Sequence, residues 1–155
     1  MHPFDKKIEQ MGLILPNIPM PVANYIPYKV FNSTLYISGQ APIKDGKVIY
    51  EGKVGDNISI NEGIEAAKLC CLNILSIIKT ACKDDWQNFD ELIKIGGYVN
   101  CNNDFKDQPK IINGASDLLV EILGEKGKHS RFAVGSNSLP LNIAVEIEAI
   151  VALKK

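Results

Sequence analysis

Residues 142–153 read NIAVEIEAIVAL, and this stretch constrains the fold more than any other. Ile143, Val145, Ile147, Ala149, Val151 and Leu153 fall on one side of an extended chain, and Ala144, Glu146, Glu148, Ile150 and Ala152 on the other. Alternation with a period of two is the signature of a β-strand. One face is wholly apolar and must be roofed by another layer. The second face is partly apolar, so it too meets something, and another subunit is the natural candidate. Such a strand belongs in the middle of a sheet.

The rest of the chain supplies the other elements. Residues 3–12 read as a short helix, with Pro3 in its first turn, Phe4, Ile8 and Met11 on one side and Gly12 at its end. Residues 15–27 carry four prolines in thirteen positions, which makes them an extended arm lying against the domain. A hairpin spans 28–40 around Asn32-Ser33, and a further turn at Asp45-Gly46 leads into a third strand at about 47–51. Ser59 and Glu62 have capping-box spacing, and Ile60, Ile64, Ala67, Cys71, Ile74 or Leu75, and Ile78 recur at helical spacing, predicting a helix to about Lys83. A strand follows over 90–101, with Gly96-Gly97 read as a bulge. A second helix opens near Asp107–Pro109, buries Ile112, Ala115, Leu118 or Leu119, and Ile122, and ends at Gly124. Residues 130–136 make the next strand. Three strands, helix, strand, helix and two strands describe an α+β sandwich, a mixed six-stranded sheet with two helices on one face.

The 155 residues suit one domain, 1–155, with residues 1–24 forming the N-terminal helix and proline-rich arm. A chain of this size buries about 68–70% of its unfolded surface and needs no disulfide or metal to fold. A net charge of −1 leaves no electrostatic footprint for nucleic acid or an anionic membrane. Cys70, Cys71, Cys82 and Cys101 form no CxxC pair and are expected as buried thiols in a reducing compartment. His2 and His129 lack metal-ligand spacing. No apolar run approaches the roughly 20 residues of a membrane span, and the N-terminus does not read as a signal peptide, so a cytoplasmic location is expected.

Arg131 is the only arginine beside sixteen lysines. Its planar fork matches a carboxylate with two hydrogen bonds, which lysine cannot do. It is a surface arginine, a structural ion pair or an anion clamp. Glu146 and Glu148 share one face of the last strand; either that face is solvated, or one carboxylate places a water or proton in a cleft. Tyr25, after the proline arm, is a packed aromatic or a cleft residue. Gly39 ends a strand in a turn, or lets a ligand approach the backbone.

Three stretches, LYISGQAPI (35–43), GGYVNCNNDF (96–105) and SRFAVGSNSLPLNIAVEIEAI (130–150), resemble signatures of the Rid family, the reactive intermediate deaminases, also called YjgF-like and often labelled L-PSP endoribonucleases. The resemblance covers residues 22–153. It implies a chorismate-mutase-like sandwich, a homotrimer and ligand clefts between subunits. It further implies hydrolysis of 2-imino or 2-enamine acids to 2-oxo acids and ammonia, with no metal or organic cofactor. By the same resemblance Arg131 grips the substrate carboxylate, Glu146 contacts the attacking water and Tyr25 stands over the cleft. Gly39 and Ala133 line the pocket with backbone, and Asn113 joins from the second helix. Two positions depart from the family: Asn24 stands where many members have proline, and Gly135 where active deaminases usually carry glutamate. A carboxylate-binding or regulatory protein without turnover is the second expectation. An endoribonuclease ranks third, because the chain is slightly acidic, only 7% aromatic, and lacks a convincing histidine acid–base pair.

Overall fold

The computed structural model describes residues 1–18 and 23–155. In chain order the elements are α1 (Pro3–Gln10), β1 (Tyr28–Phe31), β2 (Thr34–Gln40), β3 (Ile43–Lys44), β4 (Lys47–Val48), α2 (Ile60–Ala81), β5 (Phe89–Asn100), α3 (Gln108–Leu123), β6 (Ser130–Ser136) and β7 (Val145–Leu153). The main sheet has five strands in the order β1-β2-β7-β5-β6. β7 is central, as its two-sided pattern demands: Val145, Ile147, Ala149 and Val151 are buried under the helices. Glu146, Ile150 and Ala152 are half-buried, and Glu148 is exposed, on the open face. β5 and β6 run parallel, joined by the α3 crossover, and every other neighbouring pair is antiparallel.

The expected six-stranded sheet is corrected to five strands. The third strand, expected at 47–51, contributes only Lys47–Val48, and these pair with Ile43–Lys44 in a separate two-stranded ribbon. The interior places of the main sheet are taken by β2, β7 and β5, and the turn at Asp45-Gly46 closes a local ribbon instead. Asn73 on α2 donates to the Ala41 and Ile43 carbonyls at 3.0 and 3.3 Å, tying this segment to the helix layer.

α2 is 22 residues long, about 33 Å at 1.5 Å per residue. Its capping box forms as the spacing predicts: Ser59 accepts from the Glu62 amide, and the Glu62 carboxylate accepts from the Ser59 amide. The helix stops at Ala81, two residues before the expected end, because Lys83 and Asp84 turn left-handed. The α3 face is as expected, with Ile112, Ala115, Leu118, Leu119 and Ile122 all buried and Gly124 capping at φ 64°. Ile60, by contrast, is exposed at the start of the α2 stripe.

Gly96-Gly97 is not a bulge. Both residues pair regularly, and the irregular steps of β5 lie nearer its start, between Phe89 and Glu91 and between Leu92 and Lys94. The glycines are there for space: a Cβ on Gly96 would sit 2.4 Å from the Phe132 ring on the open face, and one on Gly97 would sit 2.6 Å from Ile112 beneath the helices.

α1 is anchored through Asp5, which accepts from Lys79 Nζ at 2.8 Å and from Trp86 Nε1 at 2.9 Å, while Phe4 packs edge-on against Trp86 and Phe89. Leu13, Leu15 and Ile18 lie on the core, and the Ser76 hydroxyl donates to the Pro16 carbonyl, so this part of the arm lies against the domain. Pro19 and Pro21 lie outside the described residues. All four cysteines are free and buried, and burial pushes the Cys70 and Cys71 thiols up and Cys82 to about 11. No described helix is long and apolar enough to cross a membrane.

Candidate functional site

The predicted residues fall into two groups on opposite faces of the sheet. The first lies on the open face. Glu146 stands opposite Tyr98 on β5. On its other side β2 breaks register between Ile37 and Gln40, bringing Gly39 against it. A Cβ built on Gly39 would come 2.7 Å from Glu146 Oε2 and 2.9 Å from its Cδ. Only a residue without a side chain leaves the carboxylate where it is. Partial burial, and next the charge of Glu148, hold the Glu146 carboxyl above its usual range.

The second group lies on the helix side, at the sheet's edge. Arg131, Ala133 and Gly135 alternate along β6 toward α3. Arg131 Nη1 donates to Ser116 Oγ at 3.1 Å, and Nη2 donates to the Pro109 carbonyl at 3.3 Å. Every ion pair among the described residues is made by a lysine. The guanidinium therefore keeps its full charge with no carboxylate partner among the described residues. Of the three alternatives, the structural ion pair is not formed among the described residues of one copy. A Cβ on Gly135 would lie 3.0 Å from both Cys101 Sγ and Gln108 Nε2, so this position has little room for a larger side chain.

Asn113 is exposed on α3, on the helical stripe that also carries Pro109 and Ser116. Tyr25 is 57% exposed, so it is not a packed aromatic within one copy of the chain. A single copy brings Gly39 and Glu146 together, and brings Arg131 and Ala133 onto the α3 side, but it leaves the two groups apart. A further hollow lies elsewhere. It is a groove of about 1040 Å³ between α2, α3 and the ribbon, floored by Ile64, Leu69 and Leu72, and it includes only Asn113 of the predicted residues.

Two residues with a place in this geometry were not singled out from the sequence. Ser116 Oγ lies 2.8 Å from His129 Nε2, and His129 Nδ1 lies 2.6 Å from the Gly127 carbonyl oxygen. The available signals were slight: His129 precedes Arg131 by two, sharing its side of an extended chain, and Ser116 follows Asn113 by one turn.

Known proteins show the same architecture. The family model described as "YjgF/chorismate mutase-like, putative endoribonuclease" matches residues 5–152. Protein TCP17 of Trypanosoma cruzi is 35% identical over 147 residues, covering 94% of this chain and 91% of that protein. The crystal structure of Atu1372 from Agrobacterium tumefaciens, 39% identical, superimposes with a TM-score of 0.92 over 97% of this chain and 92% of its own. A structure titled as a putative endoribonuclease from Shewanella oneidensis MR-1, 33% identical, reaches 0.94 over 98% of this chain and 100% of its own. With the family model spanning nearly the whole chain and these relatives matching it end to end, the chain belongs to the YjgF/chorismate mutase-like family, the Rid family of its sequence signatures.

Proposed function

We propose that the chain hydrolyses reactive 2-imino or 2-enamine acids to 2-oxo acids and ammonia, in a cleft completed by neighbouring copies of a homotrimer. The observation that carries this reading is the state of Arg131. Two of its five N–H donors go to neutral oxygens, so three remain for a ligand carboxylate at undiminished charge. The open sheet face supports a neighbour: Phe31, Tyr36 and Val134 are 64%, 47% and 43% exposed there. A copy seated on that face would bring its Arg131, Ala133 and Asn113 toward the Gly39, Glu146 and Tyr25 of the next.

The chemistry asks little of the protein beyond placement. Arg131 holds the substrate carboxylate. Glu146 accepts a proton from a water as its oxygen attacks C2, and the C=N electrons move to nitrogen. Glu146 returns that proton to nitrogen, giving the neutral amino-alcohol adduct, and then takes the adduct's hydroxyl proton; as the C=O bond forms the C–N bond breaks, Glu146 passes this second proton to the departing nitrogen, and ammonia leaves. One water enters and one ammonia departs. A carboxyl held above its ordinary range is better matched to these transfers near neutral pH. The test supplies the imine in place, with a threonine dehydratase and threonine, and follows 2-oxobutanoate. Acceleration over spontaneous hydrolysis that Arg131→Ala abolishes is expected; no acceleration with several amino-acid-derived imines overturns the reading.

A second reading, carboxylate binding without turnover, draws on Gly135. Active deaminases of the family usually carry glutamate there, and Cys101 and Gln108 close in on this position instead. Calorimetry separates the two: 2-oxo acid binding that depends on Arg131, with no imine hydrolysis, selects the second.

A further inference from the structure

We propose that His129 is a positioning residue for Arg131, acting through the Ser116 hydroxyl. The functional consequence rests on Arg131 being the carboxylate clamp; the geometry itself does not. The Gly127 carbonyl can only accept, so at 2.6 Å it receives the proton of His129 Nδ1. A neutral imidazole has one N–H, and Nε2 is therefore an acceptor. At 2.8 Å from Nε2, Ser116 Oγ must be the donor. A hydroxyl has one hydrogen. With it committed to His129, the oxygen turns its lone pairs to Arg131 Nη1 at 3.1 Å. The Gly127 carbonyl thus sets the tautomer, the tautomer sets the hydroxyl, and the hydroxyl with the Pro109 carbonyl sets the plane of the guanidinium.

Remove the acceptor at 129 and the order is lost. A serine within a helix readily turns its hydroxyl to the carbonyl four residues back, here that of Ile112. Arg131 then keeps only Pro109, and its long side chain regains rotamer freedom. A ligand carboxylate must freeze that freedom again, which weakens binding without removing a charge.

The single arginine makes the test direct. Selective 15N-arginine labelling yields side-chain nitrogen signals from Arg131 alone. In the wild type, slowed rotation and separate Nη signals are expected on cooling. His129→Leu and Ser116→Ala should each collapse them toward an average, while His129→Gln, which keeps an acceptor for the serine, should retain them. In calorimetry with 2-oxobutanoate, His129→Leu should weaken binding roughly tenfold, and His129→Gln should stay within about threefold of wild type. Unchanged guanidinium signals in His129→Leu overturn the inference, even if the wild type binds. Equal losses in the leucine and glutamine variants also overturn it, because ring packing rather than the accepting atom would then matter. Should His129→Leu not fold, Ser116→Ala decides the question by the same signals. If those signals respond as expected while wild type binds no 2-oxobutanoate, positioning stands and the clamp reading falls.

Discussion

Replacing Gly39 with alanine separates what the candidate site needs from what the fold needs. Gly39 is not among the residues with positive φ, so its backbone accepts alanine without strain. The new methyl would lie 2.7 Å from Glu146 Oε2, 2.9 Å from Cδ and 3.1 Å from Cγ. Ordinary contact begins at 3.4 Å, so the carboxylate must retreat by about 0.7 Å. It can, because it is the free end of a flexible side chain. An off-rotamer glutamate costs about 0.5–1.5 kcal/mol, and the gain from a stiffer unfolded chain, about 0.4–1 kcal/mol, offsets much of that. Net stability should therefore stay within about 1 kcal/mol of wild type, a change in Tm of about 2–4 °C at most for a chain of this size. With Glu146 in the proposed role of holding the attacking water, activity should respond far more, because displacing such a group by most of an ångström can cost up to about a hundredfold. The assays are a thermal melt and the rate of 2-oxobutanoate release from dehydratase-generated imine. In the double variant with Glu146→Gln, the Gly39→Ala loss should largely vanish, since the group it displaces is already gone. A Gly39→Ala protein with wild-type turnover refutes the role given to the Glu146 carboxylate. A drop in Tm far beyond a few degrees refutes the claim that only a side-chain end must yield.

Other expectations follow from contacts that cannot yield and from the pH response of Glu146. A Cβ on Gly114 would lie 2.6 Å from the backbone oxygen of Ile64, where α3 crosses α2. Gly114→Ala should therefore destabilise by about 1–3 kcal/mol despite the better helix propensity of alanine, read as a lower urea midpoint; an unchanged midpoint refutes this. The Glu146 carboxyl is held above its ordinary value of 4.5 by burial and by Glu148. The folded chain then binds this proton more tightly than the unfolded one, so its contribution to stability is present below pH 4.5 and is lost as pH rises through the raised value. Melts across this range should show Glu146→Gln gaining on wild type as pH rises from 4.5 toward 7, and a difference independent of pH refutes it.

Much of the fold was legible in short-range patterns. The alternation of 142–153 placed β7 at the centre of the sheet, and Ser59 with Glu62 marked the start of α2. The α3 stripe named its buried residues. Each of these depends only on a residue's neighbours along the chain, because periodicity decides which side of an element is apolar and a cap is made within one turn. Arg131 and Glu146 stood out for a related reason: a single arginine among lysines, and acids within an apolar strand, are departures visible in the chain itself.

Long-range pairing decided the rest. Whether 47–51 joined the main sheet depended on which edges were already occupied, and no local pattern carries that. Gly96-Gly97 read as a bulge because their true cause, the Phe132 ring on one face and Ile112 on the other, comes from β6 and α3. The partners of Arg131 were hidden for the same reason, since Ser116 precedes it by fifteen residues and meets it only because α3 crosses from β5 to β6. Sequence alone determined which residues had to be covered and which were chemically out of place; tertiary structure alone decided what each one faces, because hydrogen-bond partners are set by the register of elements distant in the chain.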